Sequence, residues 1–329
     1  MKTIRFICPY FGNLPKDILP FWIQSCKYNP SIEWYIFTDD ESINLFELPP
    51  NITVIKMTLD DYLDLSKKLF DFPIKIENSY KLCDYKPLFG AVFDEWLDGI
   101  DFWGHCDISD TLYGDLRKFL TDEVLSNADK IMFLGHMTLY RNTVTVNNRY
   151  KIKTTSNITL EEIFSSSENF AFDELKSYSI NKIYIEQGFP IKRLDDAYVD
   201  VSPLYFRFRS SKYDEKFNHL GYDNTKRIFL WESGKLFELY LIGKSVSRRE
   251  IGYIHFQKRK LKNVDAEFDK NYYITPKGFM NSDNVLNVRK LIKDSNRRYI
   301  PYYPYFKQKI RSAKYRLRLF IQNWRSKKG

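Results

Sequence analysis

The sequence predicts an α/β protein built on a mixed, mostly parallel sheet flanked by helices. Three observations carry that expectation. Short apolar strands alternate with helical stretches through the first seventy residues, at the spacing of βαβ units. Hydrophobic residues make up 43% and charged residues 28% of 329 residues, a globular balance with enough chain to bury a large core. No apolar run reaches the roughly 18 residues needed to span a bilayer.

The elements follow in order. Ile4 to Cys8 reads as a strand closed by Pro9 and the Gly12-Asn13 turn, and Pro15 to Lys27 as a helix. Glu33 to Thr38 is a second strand, ending in Asp39-Asp40. Ile52 to Met57 is a third, and Leu59 to Leu69 a helix with acids in its first turn. A further helix runs to about Leu97, before a buried strand from Asp101 to Cys106. Lys130 to Leu134, Tyr198 to Val201 and Ile251 to Ile254 read as later strands. Residues 144–180 are rich in Ser, Thr and Asn and read as an insertion or mobile loop. Residues 1–294 are expected to form one α/β unit.

Charge is unevenly placed. Eleven of the 51 Lys and Arg lie in 295–329, which hold no acid, leaving 40 against 42 acidic residues in 1–294. The body is therefore nearly neutral, and no specific nucleic-acid surface is expected on it. From Gln308 onward Ile310, Ala313, Leu317, Phe320 or Ile321, and Trp324 recur at helical spacing among basic residues. That pattern predicts a basic amphipathic tail over 303–329, lying on an anionic membrane surface or docked on the body. The start of the chain lacks the apolar stretch of a secretory signal, so the expected location is cytoplasmic, peripheral to the inner face of the membrane. Cys8, Cys26, Cys83 and Cys106 have neither disulfide nor zinc spacing and read as buried thiols.

No glycine-rich phosphate loop follows the first strand, which disfavours an NTPase or a nicotinamide dehydrogenase. In parallel sheets ligands gather at the carboxyl ends of strands. Asp39 stands at such an end, and Asp107 and Asp110 leave the strand ending at Cys106. Two carboxylates on one turn suit a hard divalent cation shared with substrate phosphates. His255 ends another apolar strand, with Gln257, Lys258, Arg259 and Lys260 behind it. A neutral imidazole suits Mn²⁺, and the basic residues suit phosphate. Asp195 and Asp196 are candidate general bases, with Asp173-Glu174 a weaker rival; each pair can also serve as a helix or turn cap. His136 and Arg141 are candidates for lining a substrate pocket. His105 reads as structural.

Six blocks are informative together: Ile-Cys-Pro-Tyr-Phe-Gly (7–12), Ile-Phe-Thr-Asp-Asp (36–40), Lys-Leu-Cys-Asp-Tyr-Lys-Pro (81–87), Phe-Trp-Gly-His-Cys-Asp-Ile (102–108), Gly-His-Met-Thr-Leu-Tyr-Arg-Asn-Thr (135–143) and Tyr-Ile-His-Phe-Gln-Lys-Arg-Lys (253–260). In this order they resemble a family of bacterial GT-A-type glycosyltransferase-like proteins associated with capsule and O-antigen synthesis. The resemblance implies a GT-A-like, Rossmann-like fold, a nucleotide-sugar donor, UDP-linked, and Mn²⁺ or Mg²⁺. It implies a growing surface-polysaccharide acceptor, lipid-linked. It assigns Asp39, Lys81 and Asp84 to the nucleoside, Asp107, Asp110 and His255 to the metal, and Lys258 and Arg259 to the diphosphate. Ser109 stands where an Asp-x-Asp motif has its second Asp, so Asp110 or a water must supply that ligand. A metal-dependent nucleotidyl- or phosphotransferase would use the same carboxylates. A degenerate binding protein, tethered to membrane or nucleic acid, is the remaining alternative.

Overall fold

A computed structural model describes residues 1–257, 259–282, 287–295, 306–307 and 310. The expected tail over 303–329 lies almost entirely outside the described residues. Strands β1 (Ile4–Tyr10), β2 (Ile32–Thr38), β3 (Ile52–Lys56) and β4 (Phe102–Cys106) form the parallel half of the central sheet. β5 (Thr111–Tyr113) leaves it. β6 (Lys130–Ile131), β7 (Met137–Arg141) and β8 (Ile191–Lys192) complete it, in the order β3-β2-β1-β4-β7-β6-β8. Four of the six pairings are parallel; β7 runs against both neighbours.

Side chains alternate between two faces of this sheet, as strand geometry requires. Phe6 and Cys8 of β1 enter one apolar cluster with Trp22 of helix α1 (Leu19–Lys27), and Ile7 enters the other with Phe37 and Tyr62. Helix α2 (Leu59–Lys67), which carries Tyr62, begins on a capping box: the Thr58 hydroxyl accepts from the Asp61 amide, and the Asp61 carboxylate accepts from the Thr58 amide. The expected helix before β4 is a chain of short turns from Ser79 to Trp96, punctuated by Pro87.

The 144–180 segment packs against the sheet. Tyr150, Ile163, Phe164 and Phe172 are buried in the second cluster despite the polar composition around them. The strand expected over Lys130 to Leu134 stops at Ile131, and β7 supplies the pairing instead.

The second half of the chain adds sheets that the sequence reading leaves undivided. β9 (Tyr198–Asp200) pairs with β15 (Tyr253–His255), which also pairs with β5. β10 (Ser211–Tyr213) and β11 (His219–Tyr222) form a hairpin. β12 (Arg227–Glu232), β13 (Lys235–Ile242), β14 (Ser245–Ile251), β16 (Tyr272–Thr275) and β17 (Gly278–Asn281) form a five-stranded antiparallel sheet. Trp231 and Tyr272 of that sheet join the first cluster, beneath α1. No helix among the described residues is long and apolar enough to cross a membrane.

Lys130 is fully buried, with its Nζ donating to Asn181 Oδ1 at 2.5 Å and to the Met132 carbonyl. Burial pushes its pKa down to about 7. The unfolded chain therefore binds the extra proton between about pH 7 and the usual lysine value near 10, so stability rises with pH in that window and is lost as pH falls through 7. Lys130→Met should flatten the slope, which is at most about 1.4 kcal/mol per pH unit. Urea midpoints of both proteins at pH 7.0 and 8.5 check this; parallel midpoints would contradict it.

Candidate functional site

The parallel strands end along one edge, and the polar residues gather there. β4 delivers Asp107 and Asp110 just past Cys106. β15 delivers His255 at its own end, where Phe256 N donates to the Asp110 carbonyl at 2.7 Å. Ligand atoms of Asp107, Asp110 and His255 all lie within 4.8 Å of one another. His255 Nε2 faces Asp110 Oδ1 at 3.6 Å and Asp107 Oδ2 at 3.8 Å, beyond hydrogen-bond reach.

The other imidazole nitrogen is held. His255 Nδ1 lies 2.8 Å from Asp200 Oδ1, at the end of β9. Gln257 Nε2 donates to both Asp200 oxygens at 2.9 Å. The His136 ring stacks on His255 with centroids 4.2 Å apart, and its Nδ1 meets the Tyr253 hydroxyl at 3.3 Å. A carboxylate behind a ligating histidine fixes its tautomer and its direction.

The electrostatics follow from burial and proximity. Burial disfavours a charged His255, but Asp110, Asp200 and Asp107 together raise it to about 9. Burial also opposes ionisation of Asp200, yet the hydrogen bond and charge of His255 hold it below the usual carboxylate range. Burial raises Asp110 to about 6 against the pull of His255, with the Asp107 charge adding to the rise. Asp110 Oδ1 is buried and has no hydrogen-bond partner among the described residues. Two carboxylates, one of them an orphaned buried acceptor, facing an oriented imidazole nitrogen form a donor set that fits a divalent cation.

Lys86 sits beside this set. Its Nζ donates to Asp107 Oδ1 at 2.7 Å and to the Gly135 carbonyl at 2.8 Å, and lies 3.7 Å from Asp173 Oδ2. Burial works against its charge, but Asp107, Cys83 and Asp173 hold it well above the ordinary lysine value. Gly135 is required by this packing: a Cβ there would come within 2.1 Å of Asp173 Oδ2. Glu174 Oε1 accepts from the Gly135 amide at 3.1 Å.

Lys86, Asp107 and Asp110 stand on a wall shared by two hollows. The smaller, about 310 Å³, runs from Tyr10 and Phe11 past Ser109. The larger, about 660 Å³, runs past His136, Asp173, Glu174, His255 and Gln257 to the β10–β11 hairpin. Both volumes lie within the range of ligand sites, about 300–1,000 Å³.

The structure places several sequence-predicted residues away from this cluster. Lys81 and Asp84 are completely buried and touch neither hollow's cluster. Lys81 Nζ pairs with Asp84 Oδ2 at 2.8 Å and donates to the carbonyls of Ile163 and Glu168, while Asp84 accepts from the amides of Phe170 and Phe172. They tie the 163–172 segment to the fold, leaving no atom for a nucleoside. Arg259 spends its guanidinium on the carbonyls of Ser202, Tyr205 and Phe206 and is not directed to a diphosphate. Arg141 is at the wrong end: β7 is antiparallel, so Arg141 pairs opposite Phe102 and binds Asp129 and three carbonyls. His136, just before β7, is brought to the site for the same reason. Asp195 and Asp196 precede β9, while Asp200 ends it. They pair with Arg193 and Arg249 in a separate hollow.

Asp39 lies exposed at the end of β2, where its Oδ1 accepts from the Gly12 amide at 2.8 Å. Lys258 lies outside the described residues. His105 is buried against Phe89 and Tyr140. Sequence reasoning missed Lys86 and Asp200. Asp200 carries the signal that marked Asp107, a carboxylate closing a buried strand. Lys86 had no signal beyond its place before Pro87.

Two solved structures resemble the chain weakly. Mouse xyloside xylosyltransferase 1, in its apo form, aligns with a TM-score of 0.35 at 8% identity, over 61% of this chain and 88% of that one. The glycosyltransferase GlyE of Streptococcus pneumoniae TIGR4 aligns with a TM-score of 0.31 at 13% identity, over 60% of this chain and 45% of that one. A comparison with curated proteins gives no match. Residues 6–283 match the model of a family described only as a family of unknown function, DUF6625, and the chain belongs to that family.

Proposed function

We propose that this protein is a metal-dependent glycosyltransferase that moves a sugar from a nucleotide-diphosphate sugar, UDP-linked, to a glycan hydroxyl. The single observation that carries the reading is the Asp107–Asp110–His255 cluster, whose two carboxylates stand on the wall common to two hollows while His255 lines the larger. A reaction between two bulky substrates needs this arrangement: one hollow for each, and the charge-stabilising groups where they meet. The smaller hollow, beside Tyr10 and Ser109, takes the donor. Asp39, at the end of β2 and bonded to the Gly12 amide, remains the candidate for the nucleoside. The larger takes the acceptor.

Asp107, Asp110 and His255 Nε2 would hold the cation, and the nitrogen ligand favours Mn²⁺ over Mg²⁺. Bound there, the ion would supply a Lewis acid that neutralises the diphosphate as it leaves. Asp200 and Gln257 keep Nε2 of His255 turned toward the two carboxylates. Lys86 adds a fixed positive charge beside Asp107. In the acceptor hollow Asp173 and Glu174 replace Asp195 and Asp196 as candidates for the base that accepts the hydroxyl proton. The resemblance in the sequence blocks points to a capsule or lipopolysaccharide O-antigen acceptor, lipid-linked, and the basic pattern of 303–329 to attachment at the inner face of a bacterial membrane.

Calorimetric titration of a panel of nucleotide sugars, with and without Mn²⁺, tests the reading. Binding that requires the ion is expected. Binding of nucleoside triphosphates alone would overturn it in favour of a nucleotidyltransferase. Asp200→Asn should weaken Mn²⁺ binding about 10- to 100-fold by releasing the imidazole. An unchanged Mn²⁺ affinity would return Asp200 to a purely structural role.

A further inference from the structure

A third hollow, of about 390 Å³, adjoins the acceptor side and shares Ser211 and Tyr213 with it. Its floor is the antiparallel sheet. Arg227 and Glu238, from β12 and β13, are 3% and 4% exposed and lie 2.6 Å apart. Arg227 also pairs with Asp223 at 2.6 Å, yet its buried Nη1 has no hydrogen-bond partner among the described residues. Buried polar groups are normally satisfied, so this donor marks a place for a polar ligand or water. The rim carries two more pairs, Arg193–Asp195 and Arg249–Asp196. Tyr198, Tyr213 and Tyr240 line the walls.

We propose that this hollow is a subsite for the sugar chain of the acceptor, distal to the reacting hydroxyl, and that the chain it takes is a neutral oligosaccharide. The inference rests on the glycosyltransferase reading for the word acceptor, but the binding chemistry stands on its own. Four cations, Arg193, Lys212, Arg227 and Arg249, face four anions, Asp195, Asp196, Asp223 and Glu238. Such a balanced wall has no net charge with which to attract an acidic polymer. It offers donors and acceptors side by side. A sugar hydroxyl, which donates one hydrogen bond and accepts others, matches that alternation. The tyrosines offer rings for the C–H faces of pyranoses and hydroxyls for their rims. Ser211 and Tyr213 line both hollows, so an extended chain that passes over them would reach from one to the other. Asp195 and Asp196 thereby keep a place on the acceptor side, as contacts to its chain.

Saturation-transfer NMR and titration of the full-length protein with cellotetraose, maltotetraose and lacto-N-tetraose, with sialyllactose as the acidic comparator, test the proposal. At least one neutral tetrasaccharide should bind, more tightly than its monosaccharide. Thr225→Trp, which fills the hollow, and the exposed double change Asp196→Ala/Lys212→Ala should each weaken that binding tenfold or more. Mn²⁺ affinity should be unchanged in both. Failure of every neutral tetrasaccharide, tighter binding of sialyllactose, or equal affinity in wild type and both variants would overturn the subsite. Loss of oligosaccharide binding in the variants of a protein that binds no nucleotide sugar would keep the subsite and refute the transferase reading instead.

Discussion

Asp107→Ala is expected to lower sugar transfer by about 10³-fold or more, roughly 4 kcal/mol of transition-state stabilisation at about 1.4 kcal/mol per tenfold. The carboxylate is lost at the point where both hollows meet. Nucleotide-sugar binding should also cease to depend on Mn²⁺. The fold should survive, because Asp107 is partly exposed and Lys86 keeps the Gly135 carbonyl and Asp173 as partners. Turnover and Mn²⁺ titration of the purified variant, with a circular dichroism melt as control, provide the check. Near-normal turnover would remove the donor-site assignment altogether. Ser109→Asp gives the complementary result: it restores the acid of an Asp-x-Asp motif and should hold or tighten the metal. Loss of binding would mean that this turn is shaped for Asp110 alone.

Asp84→Ala should be the most damaging single change to stability, about 3–5 kcal/mol. It strands the Lys81 ammonium in a site with no solvent and removes the acceptor for the amides of Phe170 and Phe172. A melting temperature lower by roughly 10 °C is expected, taking about 2–4 °C per kcal/mol for a large domain. A contrary result, an unchanged melt with weakened donor binding, would restore the role that the sequence resemblance assigns to Asp84.

The parallel half of the sheet was legible because its signal is local. Apolar strands over Ile4–Tyr10, Ile32–Thr38 and Ile52–Lys56 alternate with helices α1 and α2, and each strand closes on a turn or a carboxylate. The Asp107–Asp110–His255 grouping was legible for the same reason: all three residues stand at or just past the end of a buried strand. What misled was direction. Arg141 and His136 lie five residues apart in one block, but a strand running antiparallel sends them to opposite ends of the sheet. Burial was equally invisible. Lys81, Asp84 and Arg259 have the residue types of a phosphate or nucleoside site, and only the fold reveals that backbone carbonyls and amides consume them. The polar 144–180 segment concealed its role because the few apolar residues that anchor it, Tyr150, Ile163, Phe164 and Phe172, are too widely spaced to show a period.

The buried Lys81–Asp84 pair also bears on how this chain can change over time. Losing either charge alone leaves the other stranded. Replacing both with apolar residues, often harmless for an isolated ion pair, here would abandon two amides that rely on Asp84 and two carbonyls that rely on Lys81. Neither the single-step nor the paired route to substitution is open. Drift at these positions should be all but arrested across relatives that keep the 163–172 segment. A comparison of such relatives would then rank Lys81 and Asp84 beside Asp107 and His255, although these hydrogen bonds of the first two all lie within the fold.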